Sequence, residues 1–500
     1  MNPVNKILAI DQSTSGTKAL IFNEKGKLLD KTFIPHQQIY PQPGWVEHDA
    51  EEIYLNTIQA VREVLSRNHQ HLGQLLCVSI TNQRETVVVF DRLTGKPLHN
   101  ALVWQCRRGT QICEKLIQAG FENLIHKKTG LKIDTYFSAP KLAWLINTYP
   151  EIYERLAKGS ALIGNIDTYL IYRLTKGKTF ATDYTNASRT LLFNIRNLEW
   201  DSELCSVFGV PIQSLPEIRE SGAKYGETTF EGLLEKPLPI CGVIGDSQAA
   251  LFGQRCFAPG EAKITFGSGT SILLNIGEQV KYSPNGIVTT IGWVYNKQPV
   301  YAYEGIINYT GATVAWLKDQ LQLISSPEET EILALASNDN GGVYFVPAFV
   351  GLGAPYWRPN ARAAIVGLTP SSSKKHVVRA ALESIAFLVN DVLRVMAQDA
   401  RVSLKHVYAD GGAAKNRFLM QFVSDITNLK VFASLNPDLS GLGAALFGAL
   451  GMGIFASIDS LYQIPTSYTT YNPSMEVSLV DALIKGWKRA LYQVLAVEEK

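Results

Sequence analysis

The chain has 500 residues, 46% of them hydrophobic and 18% charged, and a formal net charge of +2. This exceeds what one compact core supports, so two domains, or three, are expected. The near-neutral balance and the lack of like-charge runs give no basis for a nucleic-acid or acidic-membrane partner.

The N-terminal run of "MNPVNKILAIDQ" is apolar only up to Asp11, too short for a signal peptide. Six cysteines without a CxxC pair fit reduced, buried thiols. Both features point to a cytoplasmic protein. Residues 7–10 read as a buried strand, 17–22 as a second, and 23–27 as a turn into a third. The loop between the first two opens "DQSTSGTK". It joins strand to strand, whereas a Walker A loop joins strand to helix and needs GxxxxGK[ST], and no GxGxxG follows the first strand either. Thr14, Ser15, Gly16, Thr17 and Lys18 offer amides, hydroxyls and an ammonium group to phosphate oxygens. Asp11 reads either as a turn cap or as the carboxylate for a hydrated Mg²⁺.

Farther along, "HQH" (69–71) is too isolated for a metal site and reads as a solvated loop. In "ITNQRETVVVF", Arg84 and Glu85 would face opposite ways on a regular strand and not pair. They read either as a solvated turn or as a loop lining a polar pocket. In a pocket, a guanidinium donor and a carboxylate acceptor suit a polyol. Trp104 and Tyr136 are either core aromatics or the pocket's apolar wall. "NAS" at 186–188 matches a glycosylation sequon, idle without secretion. Asp246 follows "PICGVIG" and precedes "SQAALFG". It is either a helix cap or a general base at the carboxyl edge of a sheet.

A boundary is expected near 246–260, dividing the chain into domains 1–249 and 250–500. Beyond it, strands at 262–266 and 271–277 flank "GSGT" and repeat the first loop without its acid. This is either a common hairpin or a duplicated unit with one phosphate loop per half. Helical apolar spacing marks 327–337 and 374–398. Residues 348–363 are irregular. "DGGAAKNRF" (410–418) is a plain βα turn or a close approach to a nucleotide through Gly412 and Asn416. The uncharged 441–458 is rich in glycine and alanine, so it reads as a buried helix rather than a membrane span. A closing helix is expected over 476–498. The alternation argues for α/β domains with mixed sheets. No zinc site and no GxSxG nucleophile occur.

Several longer blocks resemble the FGGY carbohydrate kinases, most of all those that phosphorylate glycerol. They are "YPQPGWVEHD" (40–49), "ITNQRET" (80–86), "GKPLHNALVWQCRR" (95–108), "TDYTNASRTLLFNI" (182–195), "VPAFVGLGAPYW" (346–357) and "GWKRAL" (486–491). "YFSAPKLAWL" and "AIVGLTPSSSKKHVVRAALES" (364–384) are similar to the two family signatures. The resemblance implies two actin/hexokinase-like (ribonuclease H-like) domains with an interdomain cleft. It also implies ATP-dependent phosphorylation of a terminal hydroxyl of a small polyol or sugar. In that scheme Asp246 is the base, and Arg84, Glu85, Trp104, Tyr136 and Ser247 meet the substrate. Thr14, Ser15, Gly16 and Lys18 form the first phosphate loop; Ser268, Gly311, Gly412 and Asn416 meet the nucleotide. Asp11 and Asp246 are the carboxylates for Mg²⁺. A homodimer or homotetramer is implied, without membrane insertion.

Four positions depart from the family pattern. Lys18 and Ser268 stand where arginine and threonine are usual. Ser247 replaces a glutamine and Ser271 an aromatic, and both of these are changes from large to small. They predict a wider, wetter pocket, open to a longer polyol or to a ketose such as a pentulose. An actin-like nucleotide switch is the alternative from another class, but it needs no polyol pocket. Residues 228–236 carry neither the glycine-basic loop nor the histidine through which some members are regulated.

Overall fold

The computed structural model describes residues 5–358 and 360–496. Residues 1–4 of the N-terminal stretch, residue 359 of the irregular segment and residues 497–498 of the expected closing helix lie outside the described residues.

Two mixed sheets organise the chain. The first is six-stranded and contains β1 (Lys6–Gln12), β2 (Gly16–Asn23), β3 (Leu28–Pro35), β4 (Leu75–Asn82), β5 (Lys224–Thr228) and β6 (Leu238–Gly245) in the order β5-β6-β4-β1-β2-β3. The second is seven-stranded. It contains β7 (Ala262–Phe266), β8 (Thr270–Gly277), β9 (Val288–Tyr295), β10 (Gln298–Ile307), β11 (His406–Gly411), β12 (Lys430–Ser434) and β13 (Tyr468–Tyr471), ordered β9-β10-β8-β7-β11-β12-β13. Their plans match. In each, an antiparallel trio (β1-β2-β3; β7-β8-β10) is extended beside its first strand by two parallel strands (β4, β6; β11, β12). An antiparallel edge strand then closes it (β5; β13). Among the described residues the one addition is β9, outside β10. The resemblance between the two loops is therefore a repeat of the whole sheet, because each loop turns the same β-hairpin at the same place.

The repeat follows from the sequence. Residues 6–12 are buried throughout, as expected of a central strand covered on both faces. Between the sheets lie α1 (Asp246–Gly253) and α2 (Leu439–Gly451). They share one apolar cluster with Ile7, Ala9, Leu20 and Phe22 of the first sheet and Leu273, Trp293 and Ala302 of the second. The glycines of α2 make this possible. A Cβ on Gly443 would lie 1.9 Å from the Ala249 carbonyl oxygen, and one on Gly448 2.2 Å from Ser79 Oγ. The uncharged stretch is thus a buried helix with little bulk only as far as Gly451; residues 452–458 turn away from it and are not buried, because the helix ends there. Among the described residues no helix is long and apolar enough to cross a membrane.

The remaining expectations compare closely. Helices span Glu329–Leu335, Lys374–Ala400 and Val477–Leu495. All six cysteines are buried and free. "HQH" opens a short 3-10 helix, His69–Gln74, rather than a loop. Asn186 of the sequon is fully buried and bonded to Asn82 and Asp183, so the folded chain offers it to no glycan.

Candidate active site

The carboxyl ends of β1, β4 and β6 converge on one cavity of about 310 Å³, whose far wall is the β7–β8–β10 face of the second sheet. It is lined by Thr14, Arg84, Glu85, Trp104, Tyr136, Asp246, Ser247 and Ser271, among others. Both phosphate-type turns therefore open onto the expected polyol pocket.

Arg84 and Glu85 sit in the bend between β4 and a strand at Val87–Asp91, with Glu85 at φ +61°. The left-handed turn breaks strand alternation, so Arg84 Nε and Glu85 Oε1 come within 3.9 Å. The strand is not regular there, so the condition for keeping the two apart is not met, and both residues line the cavity rather than forming a solvated turn. Ser138 Oγ donates to the Glu85 carbonyl (3.0 Å) and Asn165 Nδ2 to the Thr86 carbonyl (2.9 Å), which fixes the bend.

The two side chains belong to a buried charge cluster. Arg84 Nη2 donates to Glu304 Oε1 at 2.7 Å, and its Nη1 to Gln248 Oε1 at 3.1 Å. Arg189 Nε donates to Glu85 Oε1 at 2.5 Å, and its Nη1 lies 2.5 Å from Glu304 Oε2. Burial opposes ionisation of Glu304, but Arg189 and Arg84 outweigh it and hold the carboxyl at about 2. Burial likewise disfavours charge on Arg84, which Glu304 and Glu85 overcome. Two guanidiniums and two carboxylates thus compensate one another, the condition for keeping charge in a low-dielectric site.

Asp246 is the first residue of α1, and Gly245 is the cap. Its Oδ1 accepts from the Ser247 amide at 2.6 Å and lies 3.3 Å from Arg84 Nε. Its side chain keeps 36% of its exposure, toward the cleft. The desolvated cleft, helped by Glu85 and opposed by Arg84, raises the carboxyl to about 6. The cap reading of Asp246 therefore fails, because Gly245 takes the cap position; Asp246 is instead a first-turn acid of α1 whose carboxylate opens to the cleft.

A buried polar segment, 182–190, holds these groups in place. The Gly245 amide donates to Thr185 Oγ1 at 2.8 Å, and Thr185 Oγ1 donates to Asp183. Asn82 and Asn186 exchange side-chain hydrogen bonds. The ends of β6 and β4, which carry Asp246 and the Arg84 bend, are thereby tied to one hub.

Trp104 and Tyr136 face each other with ring centroids 5.3 Å apart, and Trp104 Nε1 donates to Thr14 Oγ1 at 3.0 Å. Gly16 is needed because a Cβ there would meet the Ile34 carbonyl oxygen at 2.5 Å. Ser15 is exposed. Lys18 Nζ lies 3.2 Å from Asp11 Oδ2 and 3.1 Å from Asp438 Oδ1, so here it pairs with carboxylates. The second loop exposes Ser268, and the amide of Gly311, first residue of a helix spanning Gly311–Asp319, donates to the Gly267 carbonyl. Gly412 is exposed after β11. Asn416 caps the helix Arg417–Thr427 through Leu419 N and donates to Thr330 Oγ1 (3.1 Å), a structural task in its own right.

Sequence reasoning missed Arg189, Glu304, Gln248 and Lys263. A signal existed for two of them. Glu304 in "VYAYEGII" and Lys263 in "AKITF" are charged residues amid apolar strand positions.

Two repeated α/β units around a cleft that joins an open carboxylate, a buried charge cluster and two glycine–hydroxyl turns define a sugar-kinase type of architecture. The chain belongs to the FGGY family of carbohydrate kinases. Its N-terminal domain model matches residues 6–253 and its C-terminal domain model residues 262–452. The chain is 46% identical to glycerol kinase 1 of Thermotoga maritima over 98% of this chain and 99% of that one. It is 44% identical to the glycerol kinase of Desulfitobacterium hafniense over the same shares. The structure of Plasmodium falciparum glycerol kinase with ADP superposes with a TM-score of 0.94 at 40% identity, covering 98% of each chain. A xylulose kinase of Lactobacillus acidophilus, at 21% identity and TM-score 0.89 over 99% of each chain, shares the fold. The protein is an ATP-dependent carbohydrate kinase.

Proposed function

We propose that this kinase phosphorylates a terminal hydroxyl of glycerol to give glycerol 3-phosphate. The observation that carries the reading is Asp246, open to the cleft and beside the Arg84–Glu85 pair. Near-full-length identity to proteins named glycerol kinase supports the substrate.

In this mechanism Arg84 donates to one glycerol oxygen and Glu85 accepts from another hydroxyl, while Trp104 and Tyr136 cover the carbon chain. Ser247 stands beside the reacting end. Asp246 takes the proton of the terminal hydroxyl as its oxygen bonds to the γ-phosphorus, and the bond to the β-phosphate oxygen breaks to release ADP. Thr14, Ser15, Gly16 and Lys18 face the phosphates from the first domain, residues 1–249. Ser268, Gly311, Gly412 and Asn416 face the nucleotide from the second, residues 250–500. Closure of the two would exclude water as a competing acceptor.

Asp11 and Asp246 are the carboxylates that would hold Mg²⁺. The donor set fits: Asp11 lies close enough to Asp246 to disfavour its ionisation, and Mg²⁺ with a nucleotide needs only one or two carboxylates. Bound there, Mg²⁺ supplies charge neutralisation at the phosphate oxygens. A cytoplasmic location fits the six free cysteines, and the family resemblance favours a homodimer or homotetramer.

The test is ADP release from Mg·ATP with and without glycerol. Turnover that depends on glycerol and yields glycerol 3-phosphate is expected. ATP hydrolysis indifferent to every polyol and sugar would instead mark a nucleotide switch.

A further inference from the structure

The far wall of the cavity has a polar device that the glycerol scheme leaves unused. In the β7–β8 register Thr265 faces Ser271 and Lys263 faces Leu273, and across β8–β10 Ser271 faces Ile306. Lys263, Thr265 and Ser271 therefore share one sheet face, the one that lines the cleft. Lys263 is fully buried, and its Nζ makes no ion pair among the described residues. It donates to Thr265 Oγ1 at 2.9 Å and to Ser271 Oγ at 3.3 Å.

The two hydroxyls differ in what remains free. Thr265 stands in register with Asp410 on β11, whose carboxylate is the neighbouring acceptor for its O–H. Ser271 accepts from Lys263 and makes no other side-chain hydrogen bond among the described residues, so its O–H is left to donate into the cavity. An ammonium donor behind it strengthens that O–H as a donor. The room exists. The cavity of about 310 Å³ equals about ten water volumes, whereas glycerol and an arriving phosphoryl group fill about six. Ser247 and Ser271 are both small and both line it. Asp246 and Glu304 close by disfavour an anion, so the matching ligand atom is a neutral hydroxyl or carbonyl oxygen.

We propose that Ser271, backed by Lys263, is a specificity-determining donor for an oxygen on a fourth or fifth carbon, so that the enzyme phosphorylates neutral tetritols and pentitols as well as glycerol. The inference rests on the reaction proposed above, and glycerol turnover in the same assay tests that reaction separately.

The experiment measures kcat/KM for glycerol, erythritol, threitol, ribitol and xylitol in the wild type, Ser271→Ala, Ser271→Thr and Ser271→Phe. In the wild type, the best longer polyol should come within roughly thirtyfold of glycerol. Ser271→Ala should lower its kcat/KM about fivefold or more beyond any change for glycerol, one hydrogen bond's worth. Ser271→Thr should restore the ratio and Ser271→Phe should abolish turnover of the longer polyols. Wild-type turnover of all four longer polyols below a thousandth of that for glycerol would overturn the proposal. So would an equal fall for both substrate classes in Ser271→Ala.

Discussion

Asp246 has a carboxyl raised to about 6 because burial in the cleft, reinforced by Glu85, disfavours the anion that Arg84 favours. In its proposed role as base it works only when ionised. Activity should therefore be full above that value and fall as pH drops through it. The check is kcat against pH between 5 and 8 at saturating substrates, where an acid limb near 6 is expected. Asp246→Asn keeps the shape but cannot accept the proton, and should lower kcat by about 10²–10⁴-fold. Circular dichroism of the variant should match the parent.

At the scale of elements, the residues proposed to act on the substrate owe their positions to the ends of β4 and β6, and those ends are held by the segment 182–190. Thr185 is the pivot, accepting from the Gly245 amide and donating to Asp183. Thr185→Val keeps the volume but strands a buried N–H next to the base, a cost of about 1–3 kcal/mol. We expect kcat to fall by about tenfold with a smaller change in the glycerol KM, and Thr185→Ser to recover most of it. A merely structural role would instead leave both kinetic constants of the folded fraction unchanged. Active-site titration of the soluble variant separates these cases.

At the scale of the whole molecule, the two repeated units meet through an apolar layer formed by α1 and α2 and through the charge cluster, in which Glu304 of the second sheet answers Arg84 and Arg189. Glu304→Gln leaves two buried guanidiniums short of one negative charge and should cost about 3–5 kcal/mol, read as a lower urea midpoint. The sign of the pH effect follows from its depressed carboxyl. The stabilisation is complete above the ordinary value of 4.5 and is lost as pH falls toward about 2. The parent's urea midpoint should therefore fall over that window more steeply than the variant's.

Much of this was legible in the sequence because it is local. Strands around both loops, the buried helix at the start of 441–458, and Asp246 at a strand-to-helix junction follow from periodicity, glycine content and turn chemistry, which act within a few residues. The family blocks then brought together Arg84, Glu85, Trp104 and Tyr136, which line one cavity. The tertiary structure decided what depends on distance. It showed that the duplication covers a whole sheet, since strand order is set by hydrogen bonds between segments far apart. It paired Lys18 with Asp11 and Asp438, and placed Arg189 and Glu304 against residues more than a hundred positions away in the chain. It also set Lys263 behind Ser271, a contact that exists only because β7 and β8 pair in one register. Sequence patterning assigns residues to elements and faces, whereas charge compensation inside a cleft depends on which faces meet.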